Sequence, residues 1–124
     1  MIDMKVSDVR PFVPSKDFAL SKEFYAALGW SVHHIDDSLA LLENGSHRFY
    51  LQRYYTKEFA ENMMLHITVA DSRACAQQIN ELLASGRFPV VRVSQPKQES
   101  YGAVVTYVWD PAGVLLHLAQ WTGQ

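Results

Sequence analysis

The sequence predicts an α+β fold made of two βαβββ modules within one domain. The first observation is the order of segments, because a strand, a helix and three strands occur in the first half and the same order begins again in the second. The second observation is periodicity, since one segment in each half has apolar residues at helical spacing and the others are β-prone. We place module one at about residues 1–55 and module two at about residues 64–124. Repeated units usually pack against each other, so a shared surface is expected.

Module one begins with an alternating, β-rich segment over residues 5–13, and a helix follows. Ser15 or Asp17 is available as the N-cap of this helix, and Gly29 is placed to end it. The apolar stripe of the helix consists of Phe18, Phe24, Tyr25 and Leu28. Three short β-prone runs separated by the turn signals DDS and ENGS complete the module, and they cover residues 30–35, 38–43 and 47–55.

Module two repeats this order after a polar, weakly helical connector at residues 56–62. Residues 63–71 read as a strand, and a helix is predicted between Asp71 as cap and Gly86 as stop. Its apolar positions are Cys75, Ile79, Leu82 and Leu83. The remaining strands are predicted at residues 89–94, 101–110 and 113–121, with 95–99 as a polar loop and 110–113 as a turn.

Composition is consistent with a single domain of residues 1–124. The chain is 48% hydrophobic and 19% charged, which is enough apolar material for a substantial core. Cys75 is the only cysteine, so no internal disulfide can form, and the N-terminus lacks the apolar stretch of a secretory signal. We therefore expect a cytoplasmic protein.

Charge and hydropathy argue against two classes of partner. The formal net charge is −2 and the 11 Lys and Arg residues are scattered, so no basic patch is predicted for nucleic acid. No segment approaches the roughly 18 consecutive apolar residues of a membrane span. We expect neither a nucleic-acid nor a membrane partner, and a mildly acidic protein tolerates or favours neutral to cationic ligands.

Alternation in the strands assigns two histidines to one sheet face. Leu65, Ile67 and Val69 suit the face that the helix covers, which leaves His66 on the other face. In the last strand, His117 shares its face with Leu115, Ala119 and Trp121. Further polar or aromatic residues share faces within their own strands, namely Tyr50, Gln52 and Tyr54 in one strand and Tyr107 and Trp109 in another. An aromatic and imidazole-lined hollow is predicted, because one helix can cover only one face of each sheet.

Each of these residues also has a purely structural interpretation. A single inward histidine is more often a hydrogen-bonded core group than a ligand. Five aromatic residues are as well suited to packing between sheets or to a dimer interface as to ligand contact, and they are Trp30, Tyr50, Tyr54, Trp109 and Trp121.

Two segments resemble the vicinal oxygen chelate superfamily, which contains glyoxalase I, fosfomycin resistance enzymes, extradiol dioxygenases and bleomycin resistance proteins. They are FVPSKDFALSKEFYAALGW, residues 12–30, and WDPAGVLLHLAQ, residues 109–120. These motifs open the first module and close the second, as they do in that superfamily. The resemblance covers nearly the whole chain, and it implies the paired-module vicinal oxygen chelate fold.

The opening segment is most similar to the bleomycin resistance proteins, whose counterpart also has Pro-Ser-basic-Asp-Phe before the helix. Those proteins are dimers that sequester a drug in grooves between subunits and perform no chemistry. The resemblance implies that His34 matches a groove aromatic residue, Tyr101 a groove tryptophan and Asp36 an acid of the same region. Leu39 stands where that group has a tryptophan.

The resemblance also bears on metal binding. In metal-dependent members, one side chain from each of the first, fourth, fifth and eighth strands holds a divalent ion. His66 matches the fifth-strand position and His117 the eighth, whereas Gln52 or Tyr50 falls at the fourth and Arg10 at the first. Two imidazoles without a carboxylate are an incomplete set for hard divalent ions, and a guanidinium would repel a cation.

Two functional hypotheses follow. The first is a non-catalytic homodimer that sequesters a small aromatic ligand, such as an antibiotic, and needs no cofactor. The second is a metal-dependent lyase, transferase or dioxygenase in which His66 and His117, with Gln52 or an oxygen supplied by the ligand, hold one divalent metal ion. A third reading is an accessory domain whose groove binds protein. The first hypothesis predicts no catalytic residue, and its ligand-binding residues are Arg10, Trp30, His34, Asp36, Tyr50, Gln52, His66, Tyr101, Trp109 and His117.

Overall fold

A computed structural model describes residues 1–123 and confirms the α+β architecture. The elements in chain order are β1 (Phe12–Pro14), α1 (Phe18–Ala27), β2 (Ser31–Asp36), β3 (Leu39–Asn44), β4 (His47–Gln52), α2 (Lys57–Asn62), β5 (Met64–Thr68), α3 (Ser72–Leu83), β6 (Arg92–Val93), β7 (Lys97–Glu99), β8 (Ala103–Trp109) and β9 (Leu115–Trp121).

The strands form two sheets of matching topology. Sheet A has the order β1-β4-β3-β2, and sheet B has the order β5-β9-β8-β6, with β7 also pairing with β8. In each sheet the first strand of the module runs parallel to the last, as β1 does to β4 and β5 to β9, and the remaining pairs are antiparallel. This equivalence confirms that the chain contains two related modules.

The two long helices begin and end where side-chain capping predicts. Asp17, rather than Ser15, caps α1 by accepting a hydrogen bond from the Leu20 amide at 3.1 Å. Asp71 caps α3 in the same way, because its carboxylate accepts a hydrogen bond from the Ala74 amide at 3.0 Å. Gly29 and Gly86 follow the helices with positive φ angles of 101° and 79°, which a side chain would strain. In residues 1–123, no helix combines the length and the apolar character that crossing a membrane requires.

Both modules contribute to one core, and helix α1 lies at its centre. The Phe24 ring packs edge-on against Phe88 of module two, and the Tyr25 ring packs in the same way against Phe49 of sheet A. The centroid distances of these two ring pairs are 5.4 and 5.3 Å. These buried aromatic contacts connect the modules, as the repeat predicted.

A buried polar contact also joins the modules. The Tyr25 hydroxyl donates to Asp110 Oδ2 at 2.6 Å, and both side chains are almost completely buried. The other carboxylate oxygen accepts from the amides of Ala112 and Val114 at 2.8 and 3.0 Å. Burial raises the pKa of Asp110, and these hydrogen bonds oppose that shift. The carboxylate thus links helix α1 to the turn between β8 and β9.

The first strand is much shorter than predicted. The alternation over residues 5–13 indicated an extended segment, but only Phe12–Pro14 has a partner, which is the segment Tyr50–Gln52 of β4. Strand β4 likewise ends at Gln52, so Tyr54 lies beyond it. A strand needs a backbone partner as well as an alternating pattern, and within the described chain residues 1–10 pair with no strand.

The predicted strand 89–94 and the predicted loop 95–99 were both wrong in detail. Only Arg92–Val93 pairs with β8 in the first segment, whereas Lys97–Glu99 in the second segment forms β7 against the same strand. Pro89 and Pro96 lack the amide hydrogen that a sheet ladder requires. The edge of sheet B is therefore divided into two short strands, and the second one carries a carboxylate onto the sheet.

Candidate functional site

The candidate site is the outer face of sheet B, which is the face opposite α3. Side chains of the inner face contact this helix, and an example is the Thr106 hydroxyl, which lies 2.9 Å from the Ser72 hydroxyl. On the outer face, the sheet register places His66 of β5 opposite His117 of β9, and His117 opposite Tyr107 of β8. The predicted shared face of the two histidines is therefore confirmed.

Five rings form a continuous series on this face. The His66 and His117 ring centroids lie 5.9 Å apart, and the Tyr107 ring lies edge-on to His117 at 5.1 Å. On the other side, Trp121 lies 5.6 Å from His66 and 5.8 Å from Tyr101. The series runs from Tyr107 through the two imidazoles and Trp121 to Tyr101. This arrangement provides π faces on which a planar molecule can stack.

The rings surround a floor of small side chains. Ala103, Val105 and Ala119 point to the outer face in the sheet register, yet all three are fully buried. Trp121 and Tyr101 remain about half exposed, each at 52%. The indole N–H of Trp121 donates to the Thr68 hydroxyl at 3.1 Å, which holds the ring over the sheet instead of in solvent.

A carboxylate lies at the edge of this aromatic series. The Tyr107 hydroxyl donates to Glu99 Oε2, and Lys97 Nζ lies 3.7 Å from Glu99 Oε1. The hydrogen bond to Glu99 raises the pKa of Tyr107, so the phenol stays protonated at neutral pH. Glu99 was not among the predicted site residues, because its segment was interpreted as a polar loop.

The surroundings of His117 lower its pKa on balance and so favour the neutral imidazole. Burial lowers the pKa of His117, and the neighbouring imidazole of His66 lowers it further. His117 Nε2 lies 3.4 Å from the Met64 sulfur. Met64 and Trp121 were also absent from the predicted site residues, although alternation in residues 113–121 already placed Trp121 on the His117 face.

Three predicted site residues lie together on the outer face of sheet A. The sheet register places Tyr50 beside Phe12, and their rings stack with centroids 4.9 Å apart. Arg10 Nη1 donates to the Tyr50 hydroxyl at 2.9 Å, and its Nε donates to Asp8 at the same distance. Gln52 occupies the end of β4. Within one chain these residues belong to a different sheet from the two histidines.

Four other predicted site residues are dispersed. Trp30 packs edge-on against Phe49 at 4.9 Å, and His34 pairs with buried Ala40 at the edge of sheet A. Asp36 accepts a hydrogen bond from the Ser38 amide at 2.9 Å and so stabilises the turn after β2. Trp109 does share the face of His117, but the Arg92 guanidinium covers its ring at 4.4 Å.

A cleft of about 700 Å³ lies between the modules and is separate from the ring series over most of its lining. Its walls combine apolar side chains, such as Trp30, Phe49 and Leu82, with polar ones, such as Arg48 and His66. Cys75 also lines the cleft, and burial raises the pKa of its thiol. The thiol therefore stays protonated at neutral pH and is a poor nucleophile.

The residues present do not fit a site for a hard divalent ion. Among residues 1–123, no group of three or more His, Cys, Asp or Glu side chains is placed to hold a metal ion. None of the three donors of the alternative hypothesis is a carboxylate, because Gln52 offers an amide and His66 and His117 offer imidazoles. The nearby Glu99 carboxylate already accepts a hydrogen bond from the Tyr107 hydroxyl.

Comparison with solved structures supports the fold. A bleomycin-binding protein from Streptomyces verticillus, complexed with copper(II)-bleomycin, superposes with a TM-score of 0.76 at 20% identity over 100% of both chains. An antibiotic-binding protein from a Streptomyces species superposes with a TM-score of 0.75 at 19% identity, and the match covers 96% of this chain and 99% of that one. A lactoylglutathione lyase from Agrobacterium tumefaciens superposes with a TM-score of 0.69 at 12% identity, and the match covers 93% of this chain and 94% of that one.

These similarities confirm the predicted fold of the vicinal oxygen chelate superfamily, which binding proteins and enzymes share. No protein-family model matches the sequence. No curated protein matches it either. The fold therefore leaves function to be argued from the site.

Proposed function

We propose that this protein is a non-catalytic homodimer that sequesters a planar aromatic small molecule, such as an antibiotic, on the outer face of sheet B. The observation that carries the proposal is the continuous series of five rings from Tyr107 to Tyr101. Solved neighbours of the same fold include proteins that bind bleomycin and other antibiotics. The proposal needs no cofactor.

Stacking supplies enough free energy for such binding. An aromatic pair contributes about 0.5–1.5 kcal/mol beyond the burial of its area, so a ligand that contacts several of these rings binds without a metal or a covalent bond. The chemistry of the face agrees with this role. Among residues 1–123, His117 Nε2 lies beside the Met64 sulfur and no hydrogen bond joins His66 or His117 to a hydroxyl or thiol, so no nucleophile–base pair is formed on this face.

The experiment that tests this function combines binding and turnover. Metal-free bleomycin and a panel of planar aromatic antibiotics are titrated into the protein and followed by calorimetry and tryptophan fluorescence. We expect at least one aromatic compound to bind with a changed emission, because Trp121 is half exposed within the ring series. The glutathione adduct of methylglyoxal and fosfomycin serve as enzyme-class controls. Turnover of either compound would show that the protein is an enzyme.

A homodimer is supported by two uncovered apolar surfaces. Ile2, Met4, Val6 and Val9 of the N-terminal segment are each at least 60% exposed in the single chain. The outer face of sheet A also exposes Phe12 at 47% beside Tyr50. Apolar surface of this extent favours association with a second copy, which would bring the outer face of one sheet close to the other subunit.

We expect sedimentation velocity to show a dimer at micromolar concentration. A truncated chain that begins at Arg10 loses the exposed apolar side chains and is expected to dissociate at higher concentrations than the full chain does. A full-length variant controls for chain length, and it carries the four substitutions Ile2→Ser, Met4→Ser, Val6→Ser and Val9→Ser. A full-length chain that sediments as a monomer would remove the intersubunit groove from the proposal.

Divalent ions are expected to change the melting temperature only slightly. A bound ion adds RT ln(1 + [L]/Kd) to the free energy of unfolding, where [L] is the concentration of the free ion and Kd its dissociation constant. Zinc, nickel and manganese are expected to have a high Kd here because the donor set lacks a carboxylate, so the added stability is small. Thermal shift measurements with each ion at several concentrations test this. A large stabilisation by one of them that disappears in both His66→Ala and His117→Ala would favour the metal-dependent enzyme.

A further inference from the structure

A thioether lies beside the two imidazoles of the outer face of sheet B. Met64 and His66 are two positions apart in β5, so their side chains share one face, and the register places His117 directly opposite His66. The Met64 sulfur lies 3.4 Å from His117 Nε2. Two adjacent strands thus bring together two nitrogen donors and one sulfur donor.

The spacing of these donors suits a common metal ion. With metal–nitrogen bonds of about 2.0 Å, two imidazoles on one ion have ring centroids about 5–6 Å apart, and with a metal–sulfur bond of about 2.3 Å the nitrogen and sulfur are about 3.5 Å apart. The observed separations are 5.9 Å between the rings and 3.4 Å between Nε2 and sulfur. Both separations are therefore close to those expected for ligands of one ion.

We propose that Met64, His66 and His117 form a binding site for a soft monovalent metal ion, Cu(I). Thioether and imidazole are ligands that Cu(I) accepts, whereas hard divalent ions prefer carboxylate and carbonyl oxygen. All three donors are uncharged when they bind, which suits an ion of single charge. The site differs from the divalent set predicted from sequence in its third donor, because a sulfur replaces the amide of Gln52.

The surroundings favour an ion of low charge. Trp121 lies against the His66 ring, and Tyr107 lies edge-on to His117, so aromatic surface flanks the donors on two sides. Met64 is 59% exposed, which leaves a path for the ion from solvent. Partial exclusion of water by the rings costs less for a singly charged ion than for a doubly charged one.

Silver(I) is the first probe, because it has the same charge and ligand preference and does not change its oxidation state in air. The Cys75 thiol would compete for Ag(I) and Cu(I), so the titrations use the Cys75→Ser background. In that background, calorimetry in chloride-free buffer is expected to show one Ag(I) per chain at this site. Carbon-13 labelling of methionine methyl groups is expected to show a shift of the Met64 signal on binding. Anaerobic competition with bicinchoninate then measures Cu(I) affinity directly.

Matched variants identify the site. Met64→Leu, His66→Ala and His117→Ala are each expected to weaken Ag(I) and Cu(I) binding by about tenfold or more, since second-shell changes alone cost about 10–100-fold. His47→Ala removes an exposed histidine elsewhere on the chain and should leave the affinity unchanged. Circular dichroism melts check that each variant is folded.

Three outcomes would overturn the proposal. They are unchanged affinity in Met64→Leu, a methyl shift confined to other methionines, and binding of Zn(II) as tight as that of Ag(I). The proposal does not depend on the drug-binding function, because the probes are metal ions alone. If the protein binds Ag(I) through Met64 but binds no aromatic compound, the drug-binding function is refuted and the metal site is supported.

Discussion

Asp110→Ala is expected to lower the free energy of unfolding by about 3 kcal/mol or more. The substitution leaves the buried Tyr25 hydroxyl and the amides of Ala112 and Val114 without their acceptor. Each buried polar group left unsatisfied costs about 1–3 kcal/mol. The contact also joins the two modules, so its loss weakens the shared core. Urea unfolding followed by circular dichroism measures the change.

Two controls separate the contact from general effects of substitution. Asp37→Ala removes an exposed carboxylate and should change stability by less than about 0.5 kcal/mol. Tyr25→Phe removes only the hydroxyl and should cost about 1–2 kcal/mol, because Asp110 keeps its two backbone hydrogen bonds. If Asp110→Ala were as stable as Asp37→Ala, the buried carboxylate would not be what holds the turn to helix α1.

Trp121→Ala and Tyr101→Ala are each expected to weaken aromatic ligand binding by about thirtyfold, which corresponds to about 2 kcal/mol. Both rings are half exposed, so their removal should affect the fold much less than the affinity. In Trp121→Phe, the ligand-dependent change in tryptophan emission should be largely lost while part of the affinity remains. Calorimetry and fluorescence titration with the best aromatic binder provide the measurements.

Tyr54→Ala is the matched control for Tyr101→Ala. The two tyrosines are 53% and 52% exposed, but Tyr54 lies beyond strand β4, with its ring near Phe59. Loss of Tyr54 should leave the affinity unchanged. Equal losses in Tyr54→Ala and Tyr101→Ala would mean that the ligand does not depend on the ring series.

Trp109→Ala tests a residue that the sequence assigned to the ligand site. Its ring shares the face of His117, yet the Arg92 guanidinium lies 4.4 Å above it. We expect this substitution to weaken ligand binding less than Trp121→Ala does, because the covered ring offers less surface for stacking. A larger loss in Trp109→Ala would place the ligand at the opposite end of the sheet face.

Features that depend on local periodicity were determined by the sequence alone. The bounds of α1 and α3 follow from capping side chains and from glycines just beyond their ends, which act within a few residues. The common face of His66 and His117 follows from alternation, because side chains in a strand point to opposite sides in turn. The module repeat combines these local signals, so it too could be predicted.

Tertiary structure alone decided which of these faces meet and what covers them. Sequence alternation placed Trp109 on the face of His117 but could not show that the Arg92 guanidinium covers its ring. Pairing of Lys97–Glu99 with β8, which carries Glu99 to Tyr107, requires a partner strand that no local pattern identifies. The contact between Trp121 and His66 likewise depends on the parallel register of β5 and β9. These contacts join residues far apart in the chain, and their geometry is set by packing and hydrogen bonding of the whole domain rather than by local propensity.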